Sequence, residues 1–281
     1  MECNTVITMH VDALITDLDG TFWSTTTEIH PASLATVETI EGHGLPFVIA
    51  TGRRALGTRP GLLRHGLTSR AAILMNGAVI RSALDGPSIA VHEIPQEDVL
   101  SILDRFREAG LEPVVYVDHP ERDMLIGEES AAGKAYLATA VGYDRVGDIA
   151  EAILGETVIG FGAFGFPYEL LDPIDRHIND QALATSVIGV SHFEGDHGIM
   201  IQPHGIDKQT GITTWCEHAG VDVTRVAVVG DGHNDIEMLE AAKIAIVPDN
   251  APPEILELAD AVIPPNEVGG WEQIPKILGL S

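Results

Sequence analysis

Short apolar runs and amphipathic segments alternate along the first 80 residues and again after residue 206. The runs at 11–16, 46–50, 71–75 and 226–229 are too short for helices. The segments between them carry apolar residues at helical spacing, as Leu34, Val37 and Ile40 do. Continuous apolar strands separated by amphipathic helices predict a parallel sheet that is covered by helices on both faces. We therefore predict an α/β fold with a doubly wound parallel sheet.

The pattern changes between residues 83 and 199. It predicts a hairpin around Asp85-Gly86-Pro87, helices at 96–109, 130–140 and 168–180, and strands near 112–117, 122–127, 156–164, 185–193 and 198–202. Strands that follow one another with few helical crossovers are typical of an α+β unit. Because insertions between neighbouring chain ends are tolerated, we predict a Rossmann-like core at 1–82 and 200–281, with an inserted α+β domain at 83–199.

Composition excludes several classes of protein. The chain has 16 Lys and Arg against 42 Asp and Glu, a net charge of −26, and 45% apolar residues. The apolar fraction excludes disorder, and the acidic excess argues against partners such as nucleic acid or anionic membranes. No stretch approaches the ~20 apolar residues of a membrane span, and the N-terminus lacks the basic region of a signal peptide.

Cysteine usage fits a reducing compartment. Cys3 and Cys216 are too few for a disulfide framework and have no zinc-binding spacing. We therefore expect a cytoplasmic protein, and its oligomeric state, monomer or homodimer, stays open.

The first candidate site is Asp17-Leu18-Asp19-Gly20-Thr21, directly after the first predicted strand. Ligands of open parallel sheets bind beyond the carboxyl ends of the strands. Two neighbouring carboxylates stay ionised together only when a cation neutralises them, which suits a hard ion such as Mg²⁺. One carboxylate could also attack a substrate while the other handles protons. Because Asp-Gly is also a common turn pair, a plain turn is the alternative.

A second acidic segment, Gly230-Asp231-Gly232-His233-Asn234-Asp235, follows the strand predicted at 226–229. It does not fit a calcium loop, because Ile236 stands where that loop requires glycine and Ala242 where it requires glutamate. A helix N-cap by Asn234 or Asp235 is the alternative. The two interpretations are compatible, since helix N-termini attract anions.

Two further positions offer groups that bind an anion. Thr51-Gly52-Arg53 ends the strand at 46–50 and offers a hydroxyl, a close backbone approach and a guanidinium fork. Lys208 opens a predicted helix after residue 207. Each signal is weak by itself, since strands often end in such residues and most lysines are solvated. Numbered in chain order, these segments are the first motif (17–21), the second (51–53), the third (Lys208) and the fourth (230–235). Together they supply a nucleophile, an acid/base, a hydroxyl, a cation and metal ligands.

This order of motifs resembles the haloacid dehalogenase-like hydrolase superfamily and, within it, the Cof-type sugar phosphatase branch. Asn76-Gly77-Ala78 and Asn250-Ala251 match two further features of that branch, whereas Pro248-Asp249 and Gln209 depart from it. The resemblance covers essentially the whole core. It implies a Mg²⁺-dependent phosphatase for small phosphorylated metabolites such as sugar phosphates, in which the inserted domain is a cap that sets the substrate.

The resemblance also implies a role for each matching residue. Asp17 would be the nucleophile that forms an aspartyl-phosphate, Asp19 the acid/base, and Lys208 the catalytic cation. The metal would be bound by Asp17, Asp19 through its backbone carbonyl, Asp231 and Asp235. Phosphate or substrate would be bound by Thr51, Gly52, Arg53, Asn76 and Asn234.

Several alternatives stay open at this point. Residues 160–165 spell G-x-G-x-x-G, but they lie outside the Rossmann-like pattern and Pro167 follows, so we predict a glycine-lined strand rather than a cofactor loop. Among 12 histidines, His233 is the one placed to meet a substrate. A phosphotransferase or phosphomutase would use the same groups. A phospho-receiver and a non-catalytic metal-binding protein are the less favoured alternatives.

Overall fold

The computed structural model describes residues 10–127, 134–190 and 196–280, which form two β-sheets flanked by helices. The strands are β1 (Ala13–Thr16), β2 (Phe47–Ala50), β3 (Ala72–Leu74), β4 (Val79–Arg81), β5 (Ser88–Val91), β6 (Val114–Val117), β7 (Met124–Ile126), β8 (Tyr143–Arg145), β9 (Val158–Phe166), β10 (Thr185–Val190), β11 (His197–Gln202), β12 (Val226–Val229), β13 (Ile244–Pro248) and β14 (Ala261–Ile263). The α-helices are α1 (Pro31–Gly42), α2 (Ala55–Leu63), α3 (Gln96–Glu108), α4 (Lys134–Thr139), α5 (Ile149–Ala152), α6 (Tyr168–Asp180), α7 (Lys208–Ala219), α8 (Ile236–Ala241), α9 (Pro253–Leu256) and α10 (Ile274–Ile277).

The larger sheet has eight strands in the order β14-β13-β12-β1-β2-β3-β4-β5. Strands β14 through β3 are parallel, and β4 and β5 complete the edge as an antiparallel hairpin. The chain runs outward from β1 to β3 and later outward again from β12 to β14, so the strand order reverses between β1 and β12. This is the topological switch point at which open α/β sheets bind ligands, and it confirms the predicted doubly wound core.

Burial on both faces explains why the central strands read as continuous apolar runs. Leu14 faces a cluster that contains Trp271, whereas its neighbour Ile15 faces a second cluster that contains Ile212. Each strand therefore has to be apolar at every position. The indole nitrogen of Trp271 donates to the carbonyl of Thr21 at 2.9 Å, which ties the C-terminal segment to the first motif.

The second sheet has six strands in the order β10-β11-β9-β6-β7-β8. All neighbouring pairs are antiparallel except β7 and β8. Helices α3 and α6 pack together on an apolar face of this sheet, as the predicted α+β unit requires. The G-x-G-x-x-G segment lies inside β9, which confirms the predicted glycine-lined strand.

The division of the chain at residues 82 and 199 stays a prediction. Strand β5 lies after residue 82 but belongs to the larger sheet. Strand β11 spans residue 199 and belongs to the second sheet. Of the described helices, none combines the length and the apolar composition that crossing a membrane requires.

Candidate active site

The first and fourth motifs meet at the switch point of the larger sheet. Asp17 follows β1 and Asp231 follows β12, and the amide of Asp17 donates to the carbonyl of Val229 at 2.9 Å. Gly20 turns the chain with a φ of +80°, and a side chain at this position would collide with the Asp231 carboxylate. Glycine at residue 20 therefore allows the two motifs to approach each other.

Lys208 bridges two of the predicted site residues, Asp17 and Asp235. It is the first residue of α7, whose N-cap Asp207 accepts from the amide of Thr210. The Lys208 ammonium is buried and donates to Asp17 Oδ1 and to Asp235 Oδ1, both at 2.6 Å. Burial favours the neutral amine, but the two carboxylates outweigh it and raise the pKa of Lys208 above its ordinary value. The side chain is therefore a fixed positive charge.

Asp17, Asp231 and Asp235 form a compact acidic group. Each offers a carboxylate oxygen, and these oxygens lie within 4.8 Å of one another. Asp235 Oδ2 accepts from the amides of Asp231 and Gly232 at 3.0 and 2.9 Å, and the Thr21 hydroxyl donates to Asp231. The backbone turn of the fourth motif thus fixes the orientation of Asp235, and the Thr21 hydroxyl fixes that of Asp231.

The electrostatics of this group favour a bound cation. Burial, together with the nearby Asp235 and Asp231, raises the pKa of Asp17 to about 7, against the opposing effect of Lys208. Burial also raises the pKa of Asp231, while the hydrogen bond from Thr21 opposes the shift. With all three carboxylates ionised beside one ammonium, two negative charges are uncompensated. An all-oxygen donor set with this charge could hold a divalent metal ion.

The Asp19 side chain lies beside this group rather than within it. Its carboxylate accepts from Arg53 Nε and Nη2, both at 2.6 Å, and from the Trp23 indole at 3.0 Å. Arg53 lies over the Trp23 ring, 5.2 Å from its centroid. The predicted acid/base and the predicted phosphate-binding arginine are therefore paired with each other, at a partly exposed rim of the site.

The other residues predicted to bind phosphate or substrate are Thr51, Gly52 and Asn234, which lie against Asn76, and Asn76 itself. Thr51 is buried after β2, and its carbonyl accepts from the amide of Asn76 at 3.1 Å. Asn234 donates to Asn76 Oδ1 at 3.0 Å. A side chain at Gly52 would come within 2.9 Å of the same Asn76 oxygen. The structure thus brings the second and fourth motifs together through Asn76.

A sequence profile of the haloacid dehalogenase-like hydrolases matches residues 14–273. The chain belongs to this family. The resemblance to its Cof-type branch is likewise confirmed.

Two phosphatases and one solved structure from the haloacid dehalogenase (HAD) superfamily are similar to this chain over most of its length. Phosphoglycolate phosphatase of Methanopyrus kandleri is 24% identical over 250 residues, which cover 89% of each chain. Pyridoxal phosphate phosphatase YbhA of Escherichia coli is 24% identical over 259 residues, 89% of this chain and 92% of its own. The solved structure of the HAD subclass IIB sugar phosphatase BT4131 superposes with a TM-score of 0.73 and 25% identity, over 96% of this chain and 100% of the other.

A cleft of about 620 Å³ connects the acidic site of this HAD-family protein to its second sheet. Lys208 and Asn234 line one end, and Phe164 and Met200 line the other. The Asn76 amide donates across the cleft to Gln202 Oε1 at 3.0 Å. Sequence reasoning assigned no functional role to Phe164, Met200 or Gln202. Only the unusual glycine content around Phe164 signalled a special strand.

Proposed function

We propose that this protein is a Mg²⁺-dependent phosphatase that hydrolyses small phosphorylated metabolites, sugar phosphates foremost, through an aspartyl-phosphate on Asp17. As a member of this hydrolase family, the chain is a phosphoric monoester hydrolase. The observation that carries the finer proposal is the Asp17 carboxylate: it is buried at the switch point, bonded to Lys208 and close to two further acids. The sugar phosphatase among its relatives supports the substrate class.

Mg²⁺ fits the residues that would hold it. Asp17, Asp231 and Asp235 offer oxygen ligands only, which Mg²⁺ prefers, and the backbone carbonyl of Asp19 is proposed as a further ligand. A bound ion would neutralise the carboxylates and the phosphoryl oxygens and so stabilise charge in the transition state.

Asp17 is proposed as the nucleophile. Its Oδ attacks phosphorus, forming a new O–P bond, while the bond from phosphorus to the leaving oxygen breaks. Lys208 supports this role, because its ammonium opposes the effect of burial and favours the ionised form of Asp17. The same ammonium, with Thr51 and Asn234, would bind the phosphoryl oxygens.

Asp19 is proposed as the acid/base. It donates a proton to the leaving oxygen and then takes one from the water that hydrolyses the aspartyl-phosphate. Its place at the rim of the site, next to the acidic group, suits contact with a leaving group that enters from outside.

The test is phosphate release by wild type and by Asp17→Asn across a panel of phosphate monoesters with MgCl₂. We expect Asp17→Asn to lower turnover by at least about a thousandfold, because no other side chain replaces the nucleophile. Asp249→Asn is the matched control, since Asp249 is exposed directly after β13 and lies outside the acidic group. Full activity in Asp17→Asn would refute the assignment. Phosphate transfer to an added alcohol without free phosphate would indicate a phosphotransferase.

A further inference from the structure

The cleft beside the site has one polar wall and one largely apolar wall. The polar wall is the loop that leads into α7 together with the fourth motif, and it includes Asp207, Asn234 and Glu237. The apolar wall is the face of the second sheet formed by β9, β10 and β11. A phosphate ester whose phosphoryl group lies at Lys208 would place its leaving group between these walls.

The apolar wall has side chains that are exposed to the cleft. Alternate residues of β11, and of β10 up to Gly189, line the cleft, as the two-residue period of a strand requires, and Val190 joins them at the end of β10. Val187 of β10 is 61% exposed there, although valine is usually buried. The Phe164 ring lies against Gly198, where a side chain would come within 2.8 Å of Phe164 Cδ1. The glycine therefore lets an aromatic ring lie flat on the sheet and face the cleft.

The charges that line the cleft are unfavourable for an anion beyond the phosphate position. Among its described lining residues there is no arginine, and the basic side chains are Lys208 and His233. Lys208 is buried and bonded to two acids, and His233 Nε2 lies 3.0 Å from Glu254 Oε1. Glu237 is exposed in the cleft and has no hydrogen bond or ion pair to the rest of the described chain. A second anion on the substrate would meet this carboxylate without a counter-charge.

We propose that this cleft selects substrates by the charge of the leaving group, and that Glu237 is the specificity-determining residue. The selection admits phosphate monoesters of uncharged alcohols and rejects those that carry a carboxylate. It rests on the proposed phosphatase function. The apolar wall gives an uncharged leaving group a surface to pack on, and Glu237 accepts hydrogen bonds from its hydroxyl groups but repels a carboxylate.

The expected size of the selection follows from Coulomb's law. Two like charges about 4 Å apart change an equilibrium by about fivefold at the dielectric constant of water, and by more at the lower dielectric of a cleft. We therefore expect an uncharged substrate to be preferred by about tenfold over its matched carboxylate.

The experiment compares kcat/KM within two matched pairs. Glycerol 3-phosphate is paired with 3-phosphoglycerate, and 2-hydroxyethyl phosphate with 2-phosphoglycolate, so that each pair differs in CH₂OH against COO⁻. The variants are Glu237→Gln, which removes the charge at constant shape, and Glu237→Lys, which reverses it. Glu240→Gln is the control, because Glu240 is exposed on the same helix α8 and does not line the cleft.

Wild type and Glu240→Gln should prefer the uncharged member of each pair. Glu237→Gln should reduce the preference about three- to tenfold by raising the activity on the carboxylates, and Glu237→Lys should reduce it further or reverse it. Turnover with no preference in wild type, or a preference that both Glu237 variants keep unchanged, overturns the charge selection while leaving the phosphatase function in place.

Failure of the phosphatase function itself has a different signature, which is no phosphate from any of the four compounds. Calorimetric binding of the same compounds to the Asp17→Asn protein in MgCl₂ then decides the inference without turnover. Tighter binding of the uncharged member, lost in Asp17→Asn combined with Glu237→Lys, supports charge selection. Equal binding, or no binding of any compound, overturns it.

Discussion

A buried ion pair links the larger sheet to the second one. Arg54 is the N-cap residue of α2, and its guanidinium pairs with Asp123, which directly precedes β7. The other carboxylate oxygen of Asp123 accepts from the amide of Leu56 at 2.7 Å. The side chains of Arg54 and Asp123 are 7% and 4% exposed, respectively. Replacing Arg54 by Met therefore leaves a buried carboxylate with one backbone donor.

The size of the effect follows from that burial. Burial raises the pKa of Asp123 despite the attraction of Arg54, so the carboxylate is costly to keep ionised even with its partner present. Removing one member of a buried pair costs about 3–5 kcal/mol. We expect Arg54→Met to lower the free energy of unfolding by this amount.

Arg59→Met is the matched control, because Arg59 belongs to the same helix and pairs with Asp85. The side chains of Arg59 and Asp85 are 44% and 36% exposed, respectively. Exposed ion pairs contribute at most about 1 kcal/mol to the free energy of unfolding. Combining Arg54→Met with Asp123→Leu removes both charges and leaves only the Leu56 amide without an acceptor. The double variant should therefore lose about 1–3 kcal/mol, which is less than the single Arg54→Met variant.

Urea unfolding followed by tryptophan fluorescence measures these differences. Trp23, Trp215 and Trp271 are all buried around the larger sheet and report its unfolding. The free energy comes from the transition midpoint and the slope. A loss in Arg54→Met no greater than that in Arg59→Met would refute the reasoning, as would a double variant less stable than Arg54→Met alone.

Three further outcomes are expected. Arg53→Met should lower kcat by about ten- to a hundredfold by releasing the Asp19 carboxylate, whereas a higher KM at unchanged kcat would show that Arg53 binds phosphate instead. In a Cys3→Ser protein, Cys216 should react with thiol reagents at pH 8 about a hundredfold more slowly than a thiol of pKa 9.0, because burial raises its pKa to about 11; rapid labelling of the folded chain would contradict this. Between about 20 and 200 mM salt, kcat/KM should stay level or rise, and a steep fall would indicate attractive steering.

The positions of the motif residues could be predicted because they depend on local pattern and one topological rule. Apolar runs mark the strands, and the carboxyl ends of parallel strands share one edge. Asp17, Thr51 and Asp231 each follow such a run. Their common edge follows from the sequence, but the distances among their side chains do not.

The side-chain pairings could not be predicted, because they depend on how separate segments pack. Arg54 and Asp123 are 69 positions apart, and Asn76 and Gln202 are 126 apart. No periodicity relates such positions. Strand β8 and helix α5 were not predicted because both are too short to show a periodic pattern. Strand β8 has three residues and is mostly exposed, and helix α5 has four residues.

The net charge of −26 is compatible with a phosphate-binding site because the two act at different distances. At physiological salt, charges separated by more than about 8 Å are largely screened, so most of the acidic surface contributes little at the site. The charges that matter there are Lys208 and the acidic group bonded to it. The same screening makes Glu237 important, since it lines the cleft that the leaving group would occupy. Discrimination among phosphorylated molecules should therefore follow changes at this single residue and be insensitive to charge changes elsewhere on the surface.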